Sequence, residues 1–254
     1  MAKVEYQTDG RVGVITIDSP PVNALDKEVL AGLSDVLDGI GDEIGVVIVK
    51  GAGSKAFVAG ADIKEFTEMK GQAGEALSRR GQEVFQKLAD LPQPTIAVVD
   101  GHALGGGLEL ALACDMRVAS KGASLGLPET TLGVIPGYGG TQRLARLIGP
   151  GKAKQMIFSA EPLNAEEAYR VGLVEVFVET GAMEAAGEWA NKIIKRGPVA
   201  VEAAKQAVNE GLETTLEEGL KLEAKQFGKV FDSEDKNEGV AAFIEKRKPD
   251  FQGK

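Results

Sequence analysis

The sequence predicts a mixed α/β protein in which buried strands lie between helices, followed by an all-helical C-terminal segment. Strand-like and helix-like hydrophobic patterns alternate over residues 1–140, which is typical of this fold class. After residue 140 almost every stretch has helical spacing. Glycines are numerous, 33 in 254 residues, and they cluster where the chain needs tight turns or close backbone approach.

The first elements are a hairpin, a helix and a buried strand. Alternating apolar residues on both sides of Asp9-Gly10, a common turn dipeptide, predict a β-hairpin over residues 4–17. Apolar residues at helical spacing predict a helix over 26–40. The β-branched run over 46–49 predicts a buried strand. Residues 51–60 are expected to form a loop.

The next elements lead to a run of three glycines. A helix is predicted over 75–91, and the two prolines that follow predict its end. Residues 95–99 predict another buried strand, and a helix is expected to begin at glycines 105–107. Breaks between the later helices are expected at Gly149-Pro150, Gly197-Pro198 and Asp232-Ser233. We therefore predict a core over 1–197 and a helical segment over 198–254.

Composition and charge exclude several classes of function. The formal net charge of −9 argues against general binding to nucleic acid or to an anionic membrane. The single cysteine, Cys114, allows no intrachain disulfide. The sequence has no run of about 18 apolar residues and no signal-peptide pattern at its N-terminus. We therefore expect a cytoplasmic protein.

Several catalytic motifs are missing from the sequence. With one histidine, His102, and one cysteine, the chain has neither a two-histidine zinc motif nor a thiolate cluster, so no metal is expected. Neither phosphate-binding pattern, G-x-x-x-x-G-K-[ST] or G-x-G-x-x-G, occurs. Residues 122–126 match the G-x-S-x-G pattern of hydrolases, but the histidine precedes the serine, against the order of their triads. Ser124 is therefore expected to be a small residue at a strand end.

Four motifs remain, and the first two combine glycine or alanine with a helix start. Residues 59–64 place small residues before an expected helix, where free backbone N–H groups can stabilise an anion. The alternative is an ordinary capped loop. Residues 102–109 hold the three glycines, which suit close approach of backbone to a ligand. Glu109 follows Gly106 by about one helical turn, so both can face one cavity. The alternative is a solvent-facing Glu109 at a helix N-terminus.

The other two motifs are weaker when taken alone. Residues 127–133 supply a second carboxylate, Glu129, directly after a proline. Residues 136–144 form a Gly-rich loop that enters a helix, and this loop either lines a pocket or only turns a corner. In this order and spacing, the four motifs closely resemble the crotonase (enoyl-CoA hydratase/isomerase) superfamily. The resemblance runs from residues 21–25 to residues 242–247.

The resemblance implies a fold, an assembly and a site. The fold is expected to be a spiral of ββα units, followed by helices that join protomers into a homotrimer or a hexamer made of two trimers. The backbone N–H groups of Ala61 and Gly106 are expected to form an oxyanion hole for a thioester enolate. As in hydratases, Glu109 is expected to activate water and Glu129 to protonate the α-carbon.

The resemblance also implies an acyl-CoA thioester as substrate, with no cofactor beyond the CoA that the substrate carries. Lys64 is expected near a CoA phosphate. Phe243 and Lys246 are expected to reach the CoA of a neighbouring protomer, although Lys246 is equally well explained as a solvated charge. The residues expected to bind substrate or CoA are Ala24, Ala59, Asp62, Ile63, Lys64, Gly137, Phe243 and Lys246.

Several functions share this fold, so the fold does not settle the reaction. Isomerases of the family generally work with a single carboxylate, so the pair Glu109 and Glu129 favours hydration. The alternatives are another acyl-CoA reaction of the family, such as isomerisation or dehydration of a 3-hydroxyacyl-CoA. One branch of the family binds RNA through a Lys-rich helical surface. The predicted helix over 75–91 has three cations against three acidic residues, which disfavours RNA binding.

Overall fold

Two β-sheets form the framework of the protein. The computed structural model describes residues 3–61, 67 and 69–254. The larger sheet has the order β1-β2-β3-β5-β7-β10 and is parallel except for β1. The smaller sheet has the order β4-β6-β8-β9 and is parallel except for β9. The strands are β1 (Val4–Asp9), β2 (Val12–Ile17), β3 (Val46–Gly51), β4 (Ala56–Ala59), β5 (Thr95–Val99), β6 (His102–Leu104), β7 (Met116–Ser120), β8 (Ser124–Gly126), β9 (Leu163–Asn164) and β10 (Val176–Val178).

Helices pack around the sheets and make up most of the C-terminal part of the chain. They are α1 (Lys27–Asp38), α2 (Gly71–Ala89), α3 (Gly106–Ala113), α4 (Gly140–Ile148), α5 (Pro150–Ser159), α6 (Ala165–Arg170), α7 (Ala182–Ile193), α8 (Pro198–Leu212), α9 (Leu216–Phe231) and α10 (Glu234–Glu245). The predicted breaks are confirmed, since α5 and α8 begin at their prolines and Ser233 caps α10 by accepting from the Lys236 N–H. Among the described residues, no helix combines the length and the apolar character that a membrane crossing requires.

A ββα unit repeats along the chain, which confirms the expected spiral. In each unit the first strand joins the larger sheet, the second joins the smaller sheet, and a helix follows. The elements β3, β4 and α2 form one unit, and β5, β6 and α3 form the next. A third pair, β7 and β8, leads into a 3-10 turn (Glu129–Leu132) and α4. Because β4, β6 and β8 are parallel neighbours in the smaller sheet, the segments that follow them meet at the carboxyl ends of these strands.

Two apolar clusters hold the layers together. The larger cluster packs α1, α2 and α3 against the sheets. The smaller one lies on the other face of the larger sheet, where α7 covers β3, β5 and β7. Residues Ala182, Ala186 and Ala190 are fully buried there at four-residue spacing, so a narrow alanine stripe brings α7 close to the sheet.

Three predictions about local structure are wrong in part. Residues 51–60 are not a loop throughout, because Ala56–Ala59 pairs with β6 as a buried strand. The helix predicted over 75–91 runs over Gly71–Ala89, since its first turn contains two residues of weak helix propensity, Gly71 and Gly74. The strands Leu163–Asn164 and Val176–Val178 lie in the stretch predicted as helical, and both are too short to show a period of two.

The C-terminal helices form a unit that is tied to the core. Helices α8 and α9 run antiparallel, and the Gln226 side-chain amide donates to the Gln206 Oε1 across them at 3.0 Å. On α8, the half-buried Lys205 donates from Nζ to Asp115 Oδ2 at 2.8 Å and to the Gln93 carbonyl at 3.0 Å. The predicted division of the chain at residue 197 stays a prediction, although α8 begins at that point.

Candidate active site

Three parallel strands of the smaller sheet end side by side. Ala59 of β4 pairs with Leu104 of β6, which in turn pairs with Gly126 of β8. The chain remains paired one residue further, since the Gly105 N–H donates to the Gly126 carbonyl at 2.9 Å. The residues that follow each strand therefore converge on one region, and these are the residues of the first three sequence motifs.

The loop after β2 runs alongside the end of β4. The Leu25 N–H donates to the Gly60 carbonyl at 2.9 Å, and the Ala59 N–H donates to the Val22 carbonyl at 3.0 Å. Leu25 also forms a parallel β-bridge with Ala61. This pairing orders the backbone on the N-terminal side of Ala61.

Asn23 holds this loop in place. Its Nδ2 donates to the carbonyls of Ala52 and Ala56 at 3.0 and 2.9 Å, and its Oδ1 accepts from the Ser19 N–H. Asn23 is buried and has a φ of 57°, a left-handed backbone conformation that asparagine tolerates better than most residues. The loop therefore places Ala24 next to Leu25, which pairs with the chain at the end of β4.

Each glycine of the run 105–107 has a separate structural role. A Cβ on Gly107 would lie 1.8 Å from the Val58 carbonyl oxygen, so α3 could not approach β4 with any other residue. A Cβ on Gly105 would lie 3.0 Å from Glu129 Oε1. Gly106 is the first residue of α3, so helical geometry supplies no acceptor for its N–H. The glycines thus bring a free helix N-terminus and the Glu129 carboxyl together.

Glu109 lies in the first turn of α3 and is only 2% exposed, so the solvent-facing alternative is wrong. Its Oε1 accepts from the Tyr138 N–H at 2.8 Å and from the Gly140 N–H at 2.7 Å. Burial raises the pKa of Glu109 to about 7, and the nearby charge of Glu129 adds to the rise. The amide hydrogen bonds act in the opposite direction, because they favour the ionised carboxylate.

Glu129 opens the 3-10 turn that follows β8, so its carboxyl faces Gly105. Burial raises the pKa of Glu129 to about 6. Its Oε2 is buried and accepts no hydrogen bond from the part of the chain that the structure describes. Leaving a buried carboxyl oxygen without a partner costs free energy, which is typical of a group kept for chemistry rather than for stability.

The arrangement suits acid–base chemistry near neutral pH. The pKa values of Glu109, about 7, and Glu129, about 6, lie close together, so near neutral pH the two carboxyl groups can share one proton and supply an acid and a base. The order of the two values places that proton on Glu109, so the expected roles, Glu109 as base and Glu129 as acid, rest on the family resemblance and not on these values. The unpaired N–H at the start of α3 and the dipole of that helix favour negative charge at the same place.

The remaining predicted site residues divide into three groups. Gly137 lies in the loop that binds Glu109, and its role in binding CoA stays a prediction. Phe243 and Lys246 lie on α10 and at its C-terminal cap, and no described contact joins either residue to Glu109 or Glu129. Asp62, Ile63 and Lys64 lie outside the described residues.

Other residues weighed from the sequence have structural roles. Ser124 is the first residue of β8, as expected for a small residue at a strand end. Burial raises the pKa of the Cys114 thiol to about 12, which makes it unreactive at neutral pH. Within the described ranges, no group of three or more His, Cys, Asp or Glu side chains is arranged to hold a metal ion.

The contact between the loop over 136–140 and Glu109 is not predicted by the sequence. The two amides that bind this carboxylate belong to Tyr138 and Gly140. The one signal in the sequence was the glycine content of the loop. A Cβ on Gly140 would lie 3.0 Å from Glu109 Oε1, so the glycine is needed for this close approach.

The sequence of the chain as a whole matches a known protein family. The sequence model of the enoyl-CoA hydratase/isomerase family matches residues 7–254. The chain belongs to the enoyl-CoA hydratase/isomerase family. The predicted resemblance and the predicted fold class are both confirmed by this match and by solved structures of the family.

Named relatives of this family align over nearly the whole chain. The short-chain-enoyl-CoA hydratase of Clostridium acetobutylicum is 47% identical over 249 residues, which cover 96% of this chain and 95% of that protein. The crotonyl-CoA hydratase of Syntrophomonas wolfei is 40% identical over 252 residues, covering 98% and 97%. The crystal structure of an enoyl-CoA hydratase from Bacillus anthracis is 42% identical, with a TM-score of 0.95 and coverage of 99% and 100%.

The raised pKa of Glu109 predicts a pH-dependent effect of Glu109→Gln on stability. The pKa of this carboxyl is higher in the folded chain than its ordinary value of 4.5. The protonated group therefore stabilises the fold at pH values below 4.5, and this contribution is lost as the pH rises through 7. The neutral glutamine avoids the loss. We expect Glu109→Gln to raise the free energy of unfolding by about 1–3 kcal/mol at pH 8, with a smaller gain at pH 5.

Urea unfolding at fixed protein concentration measures this difference. The matched control is Glu161→Gln, an exposed position outside the site, which is expected to change stability little at either pH. A Glu109→Gln variant that is less stable than the wild type at pH 8 would contradict the burial of an ionisable carboxyl at this position.

Proposed function

We propose that the chain is an enoyl-CoA hydratase, which adds water reversibly to the double bond of a 2-enoyl-CoA to give a 3-hydroxyacyl-CoA. The observation that carries this proposal is the convergence of Glu109 and Glu129, both with raised pKa values, on the free N-terminus of α3. The names of the relatives from Clostridium acetobutylicum and Syntrophomonas wolfei support hydration over the other reactions of the family.

The backbone N–H groups of Ala61 and Gly106 stabilise the reacting thioester. When a water oxygen bonds to the β-carbon, negative charge moves onto the carbonyl oxygen and forms an enolate. Two fixed donors stabilise that charge more strongly than water does. The loss of one donor raises the activation free energy by about 3–4 kcal/mol. Gly106 suits this role because it is the first residue of α3, and a Cβ there would lie 2.9 Å from the Leu25 side chain, so the close packing at this point requires glycine.

The two carboxyl groups divide the proton transfers. Glu109 takes a proton from the attacking water, and Glu129 gives its proton to the α-carbon. Since the Tyr138 and Gly140 amides hold Oε1 of Glu109, its Oε2 is left for the water. The roles reverse when the 3-hydroxyacyl-CoA is dehydrated, and proton exchange with solvent resets both groups.

The substrate supplies its own CoA, so the reaction needs no added metal or nucleotide. Ala24, Ala59 and Gly137 lie beside the site and are proposed to contact CoA, together with Asp62, Ile63 and Lys64. The words "short-chain" and "crotonyl" in the relatives' names favour a short acyl group, which makes crotonyl-CoA the first substrate to test. A cytoplasmic location belongs to the same proposal.

The C-terminal helices are proposed to assemble the chain into a trimer or a pair of trimers. Large apolar side chains are exposed on α9 and α10, and Phe243 is 85% exposed. Large apolar side chains exposed in such number on two helices are typical of an interface between proteins. The exposed residues on these two helices include Leu216, Leu220, Phe227, Phe231, Phe243 and Ile244. In such an assembly Phe243 and Lys246 of one protomer can contact the CoA of the next.

Light scattering tests the assembly directly. We expect a mass of about 80 kDa, three times the 26.6 kDa chain, or twice that value. A particle of one chain at micromolar concentration would contradict the proposal, because the apolar faces of α9 and α10 would then remain exposed.

Substitution of the two carboxyl groups tests the chemistry. We expect Glu129→Gln to lower kcat for hydration of crotonyl-CoA by about 100- to 10,000-fold with little change in KM, because the lost group acts in the transition state. Glu109→Gln is expected to do the same. Loss of absorbance of the conjugated thioester measures turnover, and Glu161→Gln serves as the control.

Two results would count against hydration. Turnover like that of the wild type in Glu129→Gln would remove this residue from the mechanism. A wild-type protein that moves the double bond of a 3-enoyl-CoA but does not hydrate crotonyl-CoA would make the chain an isomerase instead.

A further inference from the structure

Two side chains of α2 hold one carbonyl group in the loop that binds Glu109. Ser78 Oγ donates to the Gly137 carbonyl oxygen at 2.5 Å, and Gln82 Nε2 donates to the same oxygen at 2.9 Å. Gln82 Nε2 also donates to Ser78 Oγ at 3.0 Å. These three hydrogen bonds form a closed arrangement around a single acceptor.

The same face of α2 receives the ring of Tyr138. A Cβ on Gly81 would lie 2.2 Å from this ring, so the ring packs directly on the helix backbone. Phe85 meets Tyr138 edge to face, with 5.6 Å between the ring centroids. Because Ser78, Gly81, Gln82 and Phe85 follow helical spacing of three and four residues, they form one stripe facing the loop.

The Gly137 carbonyl and the Tyr138 N–H belong to the same peptide group. A peptide group is planar, so fixing the direction of its oxygen also fixes the direction of its N–H. That N–H is one of the two that donate to Glu109 Oε1. Ser78 and Gln82 therefore bind the oxygen edge of this planar group, and the Glu109 carboxylate binds its opposite, N–H edge.

We propose that Ser78 and Gln82 are positioning residues that direct the Gly137–Tyr138 peptide at Glu109. This inference rests on the proposed role of Glu109 as the base in hydration. Donors at the carbonyl oxygen also polarise the peptide group, which strengthens the hydrogen bond that its N–H gives to the carboxylate. Ser78 and Gln82 thus help to keep Glu109 ionised and in one orientation, without touching the substrate.

Loss of these donors has a definite direction of effect. The Tyr138 and Gly140 amides favour the ionised form of Glu109, whereas burial and the charge of Glu129 oppose it. If the peptide is no longer held, the balance moves toward the protonated form and the pKa of Glu109 rises. Among the described residues, the charge that affects the pKa of Glu109 is that of Glu129. The Ser78 and Gln82 side chains are neutral.

The experiment compares Ser78→Ala, Gln82→Leu and the double variant with two controls. Ser34→Ala is matched to Ser78→Ala, since the half-buried Ser34 accepts from the Lys87 Nζ of α2 at 2.9 Å but has no part in the loop. Ser78→Thr keeps a hydroxyl donor at the critical position. Crotonyl-CoA hydration is measured over a range of pH, and kcat and KM are separated.

We expect Ser78→Ala to lower kcat about tenfold with KM changed less than about twofold, and the double variant to lose more. The acid limb of the kcat profile is expected to move to higher pH by about half a unit or more, because ionised Glu109 is required for hydration. Ser78→Thr should recover most of kcat, and Ser34→Ala should match the wild type. Equal losses in Ser34→Ala and Ser78→Ala, or an acid limb that does not move, would overturn the inference.

A direct titration separates this inference from the proposed function. Carboxyl-¹³C glutamate labelling, with the Glu109 signal assigned by its loss in Glu109→Gln, reports the pKa of Glu109 without any substrate. A higher pKa in Ser78→Ala than in Ser34→Ala supports the positioning role, and equal values overturn it. Absence of hydration by the wild type would overturn the proposed function, whatever the titration shows.

Discussion

The in-register ends of β4, β6 and β8 are the constraint on which the site depends. Ala59, Leu104 and Gly126 lie side by side in the smaller sheet, so the backbone that follows each strand enters the same region. Each ββα unit contributes one of these segments, and no segment carries the site alone. The repeat of the fold thus assembles three parts that are far apart in the sequence, and the active site is a consequence of strand register.

Close backbone approach completes what the register begins. Gly107 lets α3 lie against the Val58 carbonyl, which places the start of that helix beside the end of β4. The same helix then buries Glu109, where water no longer stabilises its charge. The free energy lost by burying this carboxyl is the cost of a base that titrates near neutral pH, and two loop amides offset part of it. Stability and reactivity are therefore opposed at this position.

Much of the fold could be predicted from the sequence, because it depends on local pattern. The hairpin around Asp9-Gly10, the strand at Thr95–Val99 and the starts of α5 and α8 follow from turn dipeptides, β-branched runs and prolines. The strand Ala56–Ala59 could not be predicted in this way. It is four residues long, follows a glycine and serine-rich stretch, and is stabilised by pairing with β6, which lies more than forty residues later. Its partner is not visible in a local pattern.

The candidate site shows the same division. Glu109, Glu129, Ala61 and Gly106 were named from motifs and family resemblance, and the structure brings their segments together. The contacts of Glu109 with Tyr138 and Gly140, and those of Ser78 with Gly137, join residues on separate elements. Such contacts depend on the packing of α2 and α3 around a loop, so no spacing in the sequence reveals them.

A crystal structure of the chain with bound 3-hydroxybutyryl-CoA tests the central claim most directly. The account predicts a thioester oxygen about 3 Å from the backbone nitrogens of both Ala61 and Gly106. It also predicts the Glu109 carboxyl beside the hydroxyl on the β-carbon and the Glu129 carboxyl beside the α-carbon. A thioester oxygen that points away from these two nitrogens, or carboxyl groups that contact different parts of the ligand, would contradict it.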